Sequence, residues 1–221
     1  MQLPEVKTKI PEKLYSVLEK QGITTLRPCQ EKAITAGVLE GKNLLVCSPT
    51  GSGKTQVAEY AALTSILTGK GKAIYIVPLK ALAMEKYKEF TSRYSHLCKI
   101  AMSSGDLDSA DNYLAGYDLI IMTAEKCDSL LRHHAPWIQG VVTMIVDEIH
   151  LLHDPQRGPV LEILITLLRE TRPSLQIIGL SATIGNPEEL ANWLSAELVQ
   201  DSWRPIPLKK GIYFDGKVEF Y

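Results

Sequence analysis

Apolar positions along this chain fall into two alternating rhythms. Short runs dominated by Val, Ile and Leu occupy 43–46, 72–77, 118–122, 141–146 and 175–180, with a weaker one at 99–102. Strands buried on both faces read this way, because neither side of the pleat meets water. Between them lie segments with the three-to-four spacing of helices: 56–68, 79–94, 124–131, 158–170 and 186–194. Two further helices precede the first strand, 11–20 and 26–39, which Gly22 and Gly41 are expected to stop. A short helix is predicted over 109–114. Strand, helix and strand in regular succession predict a doubly wound, mostly parallel α/β sheet with helices on both faces.

The texture changes at Trp203. Residues 204–207 carry two prolines and read as extended, and 212–221 read as two strands around an Asp215-Gly216 turn. Residues 1–200 are therefore expected to form one domain. Residues 201–221 are expected to be a linker and the start of a truncated second domain.

Composition narrows the class. The 221 residues are 45% apolar and 22% charged, which describes a globular protein with ample core. No apolar run approaches the about 18 residues of a membrane helix, and the N-terminus has no signal-peptide pattern, so no membrane partner is expected; a cytoplasmic site is expected from the cysteines that follow. Cys29, Cys47, Cys98 and Cys127 are scattered without a CxxC pair, as reduced thiols would be, and a zinc site is not expected. Net charge is −1, so any binding of nucleic acid must rest on local groups.

Those local groups cluster after the strands. Ser48-Pro49-Thr50-Gly51-Ser52-Gly53-Lys54-Thr55 follows the first strand and opens a helix, the setting in which a glycine loop cradles a polyphosphate. Its N–H groups and the helix N-terminus would meet phosphate oxygens. Lys54 would reach the β- and γ-phosphates of a nucleoside triphosphate, and Thr55 would ligate Mg²⁺. Ser48 stands where the strict pattern begins with Gly.

Asp147 and Glu148 follow the most hydrophobic strand. Asp147 there can hold the metal beside Thr55, and Glu148 can orient or deprotonate the attacking water. An acid pair often only caps a helix; the upstream glycine loop is what makes it catalytic. Free N–H groups after Pro78-Leu79 and Thr123 suit phosphates of a nucleic-acid backbone, with Lys80, Lys126 and Arg157 adding charge. Each cation taken singly reads as a solvated surface group; their shared position after strands favours contact. His133-His134 fit a helix end, Trp193 a core position, and Tyr213, Phe214 and Phe220 the packing of the tail hairpin.

Asp147-Glu148-Ile149-His150 resembles the second motif of the DExH subgroup of superfamily 2 helicases. The other motifs occur in order: Gln30 after Arg27-Pro28, Pro78-Leu79-Lys80-Ala81-Leu82, Thr123-Ala124-Glu125-Lys126, Arg157-Gly158 and Ser181-Ala182-Thr183. Gly105-Asp106, 128–132, 189–194 and Trp203-Arg204-Pro205 look like the archaeal DNA-repair helicases of the Ski-type group. The resemblance covers 11–221. It implies a RecA-like first motor domain using ATP and Mg²⁺ in an archaeal cell interior, with 3′-to-5′ movement on single-stranded or forked DNA. It implies that Gln30 reads adenine, that His150 and Ser181-Ala182-Thr183 couple the nucleotide and strand sites, and that Pro78, Leu79, Lys80, Thr123, Glu125, Lys126, Arg157 and Gly158 face the strand. It also implies a second RecA-like domain that supplies an arginine finger, so this chain should be a half-motor.

Rival readings remain at this level. An RNA helicase of the same group would carry the same backbone-directed motifs. A P-loop phosphotransferase would leave Gln30, His150 and Ser181 unexplained. A nucleotide-gated binding module without turnover would leave Glu148 without a task.

Overall fold

The uninterrupted apolar runs pair with one another in register. The computed structural model describes residues 1–103 and 111–220. Within them lies a seven-stranded sheet: β1 (Leu44–Cys47), β2 (Lys72–Val77), β3 (Ile100–Ser103), β4 (Leu119–Thr123), β5 (Val141–Val146), β6 (Gln176–Ser181) and β7 (Glu197–Gln200). The order is β3-β4-β2-β5-β6-β1-β7, and every pair is parallel. Helices α1 (Glu12–Lys20), α2 (Pro28–Thr35), α3 (Lys54–Leu67) and α4 (Lys80–Tyr94) cover one face. Helices α5 (Ala124–Arg132), α6 (Gly158–Thr171) and α7 (Pro187–Leu194) cover the other.

Alternation along each strand divides the core. Ala73, Tyr75 and Val77 of β2 enter the first layer, whereas Ile74 and Ile76 enter the second. Each large aliphatic side chain so enclosed contributes about 1.5–3 kcal/mol, and the buried polar side chains Thr143 of β5 and Gln176 of β6 are hydrogen-bonded. The order of strands also decides the site. β6 lies between β5 and β1, with Cys47 beside Ser181 and Val146 beside Gly179. The turns after β1, β5 and β6 therefore share one edge.

Several boundaries differ from expectation. α2 ends at Thr35, because Gly37 adopts a φ of 102° and turns the chain before Gly41. α3 begins at Lys54, directly after Gly53 at φ 100°. β7 has no counterpart among the expected strands: only Val199 of its four residues is buried, so its pattern is too polar to signal a strand. Residues 104–110, including Gly105-Asp106 and the start of the expected 109–114 helix, lie outside the described residues; Asn112–Gly116 form a 3-10 turn. The tail hairpin forms, as β8 (Gly211–Phe214) and β9 (Lys217–Phe220). Its aromatics do not pack it down, since Tyr213, Phe214 and Phe220 are 72%, 81% and 67% exposed after an extended, proline-bearing approach.

Two devices brace the helices that carry the turns. Glu59 of α3 is fully buried, where Arg93 Nη1 donates to it at 2.5 Å and the Tyr94 hydroxyl at 2.6 Å. Arg93 Nη2 also reaches Gln21 Oε1 at 3.0 Å, so one guanidinium joins α3, α4 and the end of α1. On the opposite layer, α6 starts hard against the 3-10 turn Ile149–His153. A Cβ on Gly158 would lie 2.2 Å from the Leu152 carbonyl oxygen.

Both devices predict measurable behaviour. Burial pushes the Glu59 carboxyl up from 4.5 to about 7, against the opposing pull of Arg93 and Tyr94. The folded state then holds a proton that the unfolded chain releases, so stability falls as pH rises from about 4.5 to 7. Glu59→Gln should remove that falling component, read as melting midpoints across the window; parallel curves for parent and variant would refute the assignment. Gly158→Ala should destabilise by about 1–3 kcal/mol in urea melts, as overpacking does, and a neutral result would show that the turn yields freely.

Candidate nucleotide-binding site

The glycine loop after β1 has the backbone its sequence demands. Gly51 and Gly53 sit at φ 79° and 100°, where a side chain is strained. A Cβ on Gly53 would also come within 2.5 Å of Gln30 Nε2. Ser48, at the position of the missing first glycine, is buried with its hydroxyl 2.7 Å from that of Ser52, also buried. Both serines therefore stiffen the loop from beneath. Pro49 is buried and Thr50 exposed at the loop's tip. The Lys54 ammonium donates to the Ser48 carbonyl at 2.7 Å and to that of Pro49 at 3.1 Å. Desolvation lowers its pKa, and Glu148 and Asp147 pull it back up.

The acid turn is held as tightly. The Asp147 amide continues the ladder to the Ile76 carbonyl at 2.9 Å. Asp147 Oδ1 accepts from the Glu148 amide at 3.0 Å, and Oδ2 accepts from the Tyr75 hydroxyl at 2.9 Å. Glu148 itself takes a left-handed φ of 52°, a strained conformation for a side chain of its size. That twist opens the turn Ile149–His153 and leaves the Glu148 carboxylate 42% exposed.

β6 ties the loop to the acid turn. The Ser48 amide donates to the Ser181 carbonyl at 3.2 Å. The Ser181 hydroxyl lies 3.4 Å from His150 Nδ1, which lies 3.3 Å from Glu148 Oε2. Ser181 is buried, Ala182 half-buried and Thr183 exposed, so this segment runs from beneath the loop to the surface.

Residues expected at a strand-binding face divide into two groups. Pro78, Glu125 and Arg157 line one shallow depression together with Asp147 and Glu148. Leu79 and Lys80 are exposed where α4 begins, and no side chain caps that end. The Thr123 hydroxyl instead caps α5, accepting from the Lys126 amide at 3.4 Å. Lys126 corrects the expectation of a surface cation: its side chain is 2% exposed and its ammonium is 3.0 Å from Asp111 Oδ2. A buried ammonium requires such a counter-charge, so its charge serves the interior. Gly158 is buried, at the close contact described above.

Gln30 is likewise buried. Its Oε1 accepts from the Arg27 amide at 2.9 Å, while Nε2 donates to the Gly53 carbonyl at 3.3 Å and to Gln56 Oε1 at 3.0 Å. Arg27 in turn donates to the Gly51 carbonyl and lies 5.7 Å over the Trp203 ring. The segment from Asp201 stays beside the loop, with Asp201 paired to Lys32 at 2.7 Å. Tyr75 and Lys86, whose ammonium is 3.5 Å from the Thr55 hydroxyl, were not singled out by sequence. A buried tyrosine in an apolar strand does signal that its hydroxyl has a partner; Lys86 carries no such signal.

The DEAD/DEAH box helicase family model matches residues 27–190, from the Arg27 cap to α7. A Pyrococcus horikoshii protein named ATP-dependent DNA helicase Hel308 is 52% identical over 210 residues, covering 95% of this chain and 29% of its own length. Proteins of the same name are 53% identical in Pyrococcus abyssi, over 95% of this chain and 29% of theirs, and 53% identical in Methanocaldococcus jannaschii, over 95% and 18%. The chain thus spans less than a third of the length of these relatives. With its loop, acid turn and linking strand on one edge of a parallel sheet and this match over most of its length, the chain belongs to the DEAD/DEAH box helicase family.

Proposed function

We propose that this chain is the ATP-binding motor domain of a 3′-to-5′ DNA helicase that works in repair or at stalled forks. One observation carries the mechanical part of this reading. β6 places Ser181 between the glycine loop and the acid turn, where His150 meets both Ser181 and Glu148. A change at the γ-phosphate would move Glu148, and through His150 it would move the segment that surfaces at Thr183. The DNA helicase names of the relatives favour DNA over RNA.

The donors present suit Mg²⁺: the Thr55 hydroxyl and Asp147 carboxylate are hard oxygens, as that ion requires. When bound, the metal would neutralise charge on the β- and γ-phosphates. Lys54 would exchange the Ser48 and Pro49 carbonyls for phosphate oxygens. Glu148 would orient the water and accept its proton. Gln30 would read adenine by releasing Gln56 and keeping the Arg27 amide. A strand would lie across the ends of α4 and α5, held by backbone N–H groups with Lys80 and Arg157. The second motor domain would close the cleft with an arginine finger, a contribution on the order of a thousandfold or more.

Lys54→Ala should abolish MgATP binding, measured by calorimetry on the 221-residue chain. Glu148→Gln should keep binding and stop hydrolysis when the chain is joined to its second domain; equal loss of binding in the two variants would overturn the division of roles. Gln30→Ala should erase preference for ATP over GTP, whereas a parent enzyme using both equally would refute the adenine assignment. The chain by itself should show negligible DNA-stimulated turnover. Robust turnover that Lys54→Ala removes would refute the need for a second domain.

A further inference from the structure

We propose that Tyr75 is a positioning residue for the metal-holding carboxylate, its hydroxyl fixing Asp147 Oδ2 so that the carboxylate presents one orientation to the cation. The proposal rests on the reading of Asp147 as the metal-holding group and adds a residue outside the motifs named above. Tyr75 lies in the middle of β2, beside β5, with its ring fully buried. The ring meets Phe90 edge-on at 5.4 Å, and Phe90 meets Tyr94 at 5.9 Å, so the phenol has little room to swing. Its hydroxyl is 2.9 Å from Asp147 Oδ2. The other oxygen, Oδ1, accepts from the Glu148 amide at 3.0 Å.

These two bonds hold both ends of the carboxylate, which would otherwise turn about its terminal torsion. Each oxygen keeps a second lone pair for a cation or its water. The choice of donor matters. A lysine at this place would bring a positive charge to oppose the metal, whereas a phenol orients the carboxylate without one. A phenylalanine would fill the same core volume and spare the desolvation of a hydroxyl. The hydroxyl's place is explained by its bond to Asp147.

The test is a titration of the 221-residue chain with a fluorescent ATP analogue, in EDTA and across a range of Mg²⁺ concentrations. Tyr75→Phe should match the parent in EDTA. In Mg²⁺ it should need about tenfold more metal for half-maximal tightening, the scale on which outer-shell partners of metal ligands act. Phe90→Leu is the control for packing: it should lower the melting temperature and leave the Mg²⁺ midpoint in place. An unchanged midpoint in Tyr75→Phe would overturn the proposal, as would an equal shift in Phe90→Leu. Loss of a cooperative melt in Tyr75→Phe would also overturn it, by making the hydroxyl a requirement of folding. If the parent's affinity did not depend on Mg²⁺, the reading of Asp147 itself would fail.

Discussion

The bond from the Ser48 amide to the Ser181 carbonyl is where this structure's separate parts become one device. It continues the β1–β6 ladder past the strands and into the glycine loop. Because β6 also pairs with β5, the loop, the Ser181 segment and the acid turn are fixed against one another by a sheet whose strands cannot slip. A shift of one residue in a strand buried on both faces would exchange its two apolar sets between the layers. The rigidity of the site is thus borrowed from the core.

Against that rigid edge, strain is local. Glu148 in a left-handed conformation, and two glycines at positive φ in the loop, are the described residues of the site that depart from ordinary backbone. The surroundings hold each departure in place: Asp147 accepts from the Glu148 amide, Arg27 donates to the Gly51 carbonyl, and Gln30 donates to that of Gly53. Two side chains named by motif, Gln30 and Ser48, are buried and brace the loop from beneath. Motif membership marks positions of consequence without saying whether the side chain or the backbone does the contacting.

Lys126 makes the same point for the strand-binding face. Its position after β4 placed it on the correct edge, but α5 turns its side chain inward to Asp111. Glu125, one residue earlier, is exposed and lines the depression with Arg157 and Glu148. A one-residue step on a helix is about a 100° turn. Which of two neighbours faces a ligand depends on how the helix is rolled against the sheet.

Hydrophobic rhythm by itself determined the strands of the large sheet other than β7, the helices between them and the parallel class, because strands buried on both faces are built mainly from apolar residues. Local chemistry determined the glycine loop and the acid turn, since their spacing is set within a few consecutive residues. The tertiary structure decided what depends on distant partners. It ended α2 at Thr35, ahead of the turn at Gly37, and it added β7, whose polar sequence becomes a strand through pairing with β1. It left the tail hairpin's aromatics exposed. It placed Ser181 between two motifs more than thirty residues away, and it brought the Tyr75 hydroxyl to Asp147 across 72 residues of chain. Periodicity tells which side of an element is buried, but the neighbour that a buried polar atom meets is a property of strand order.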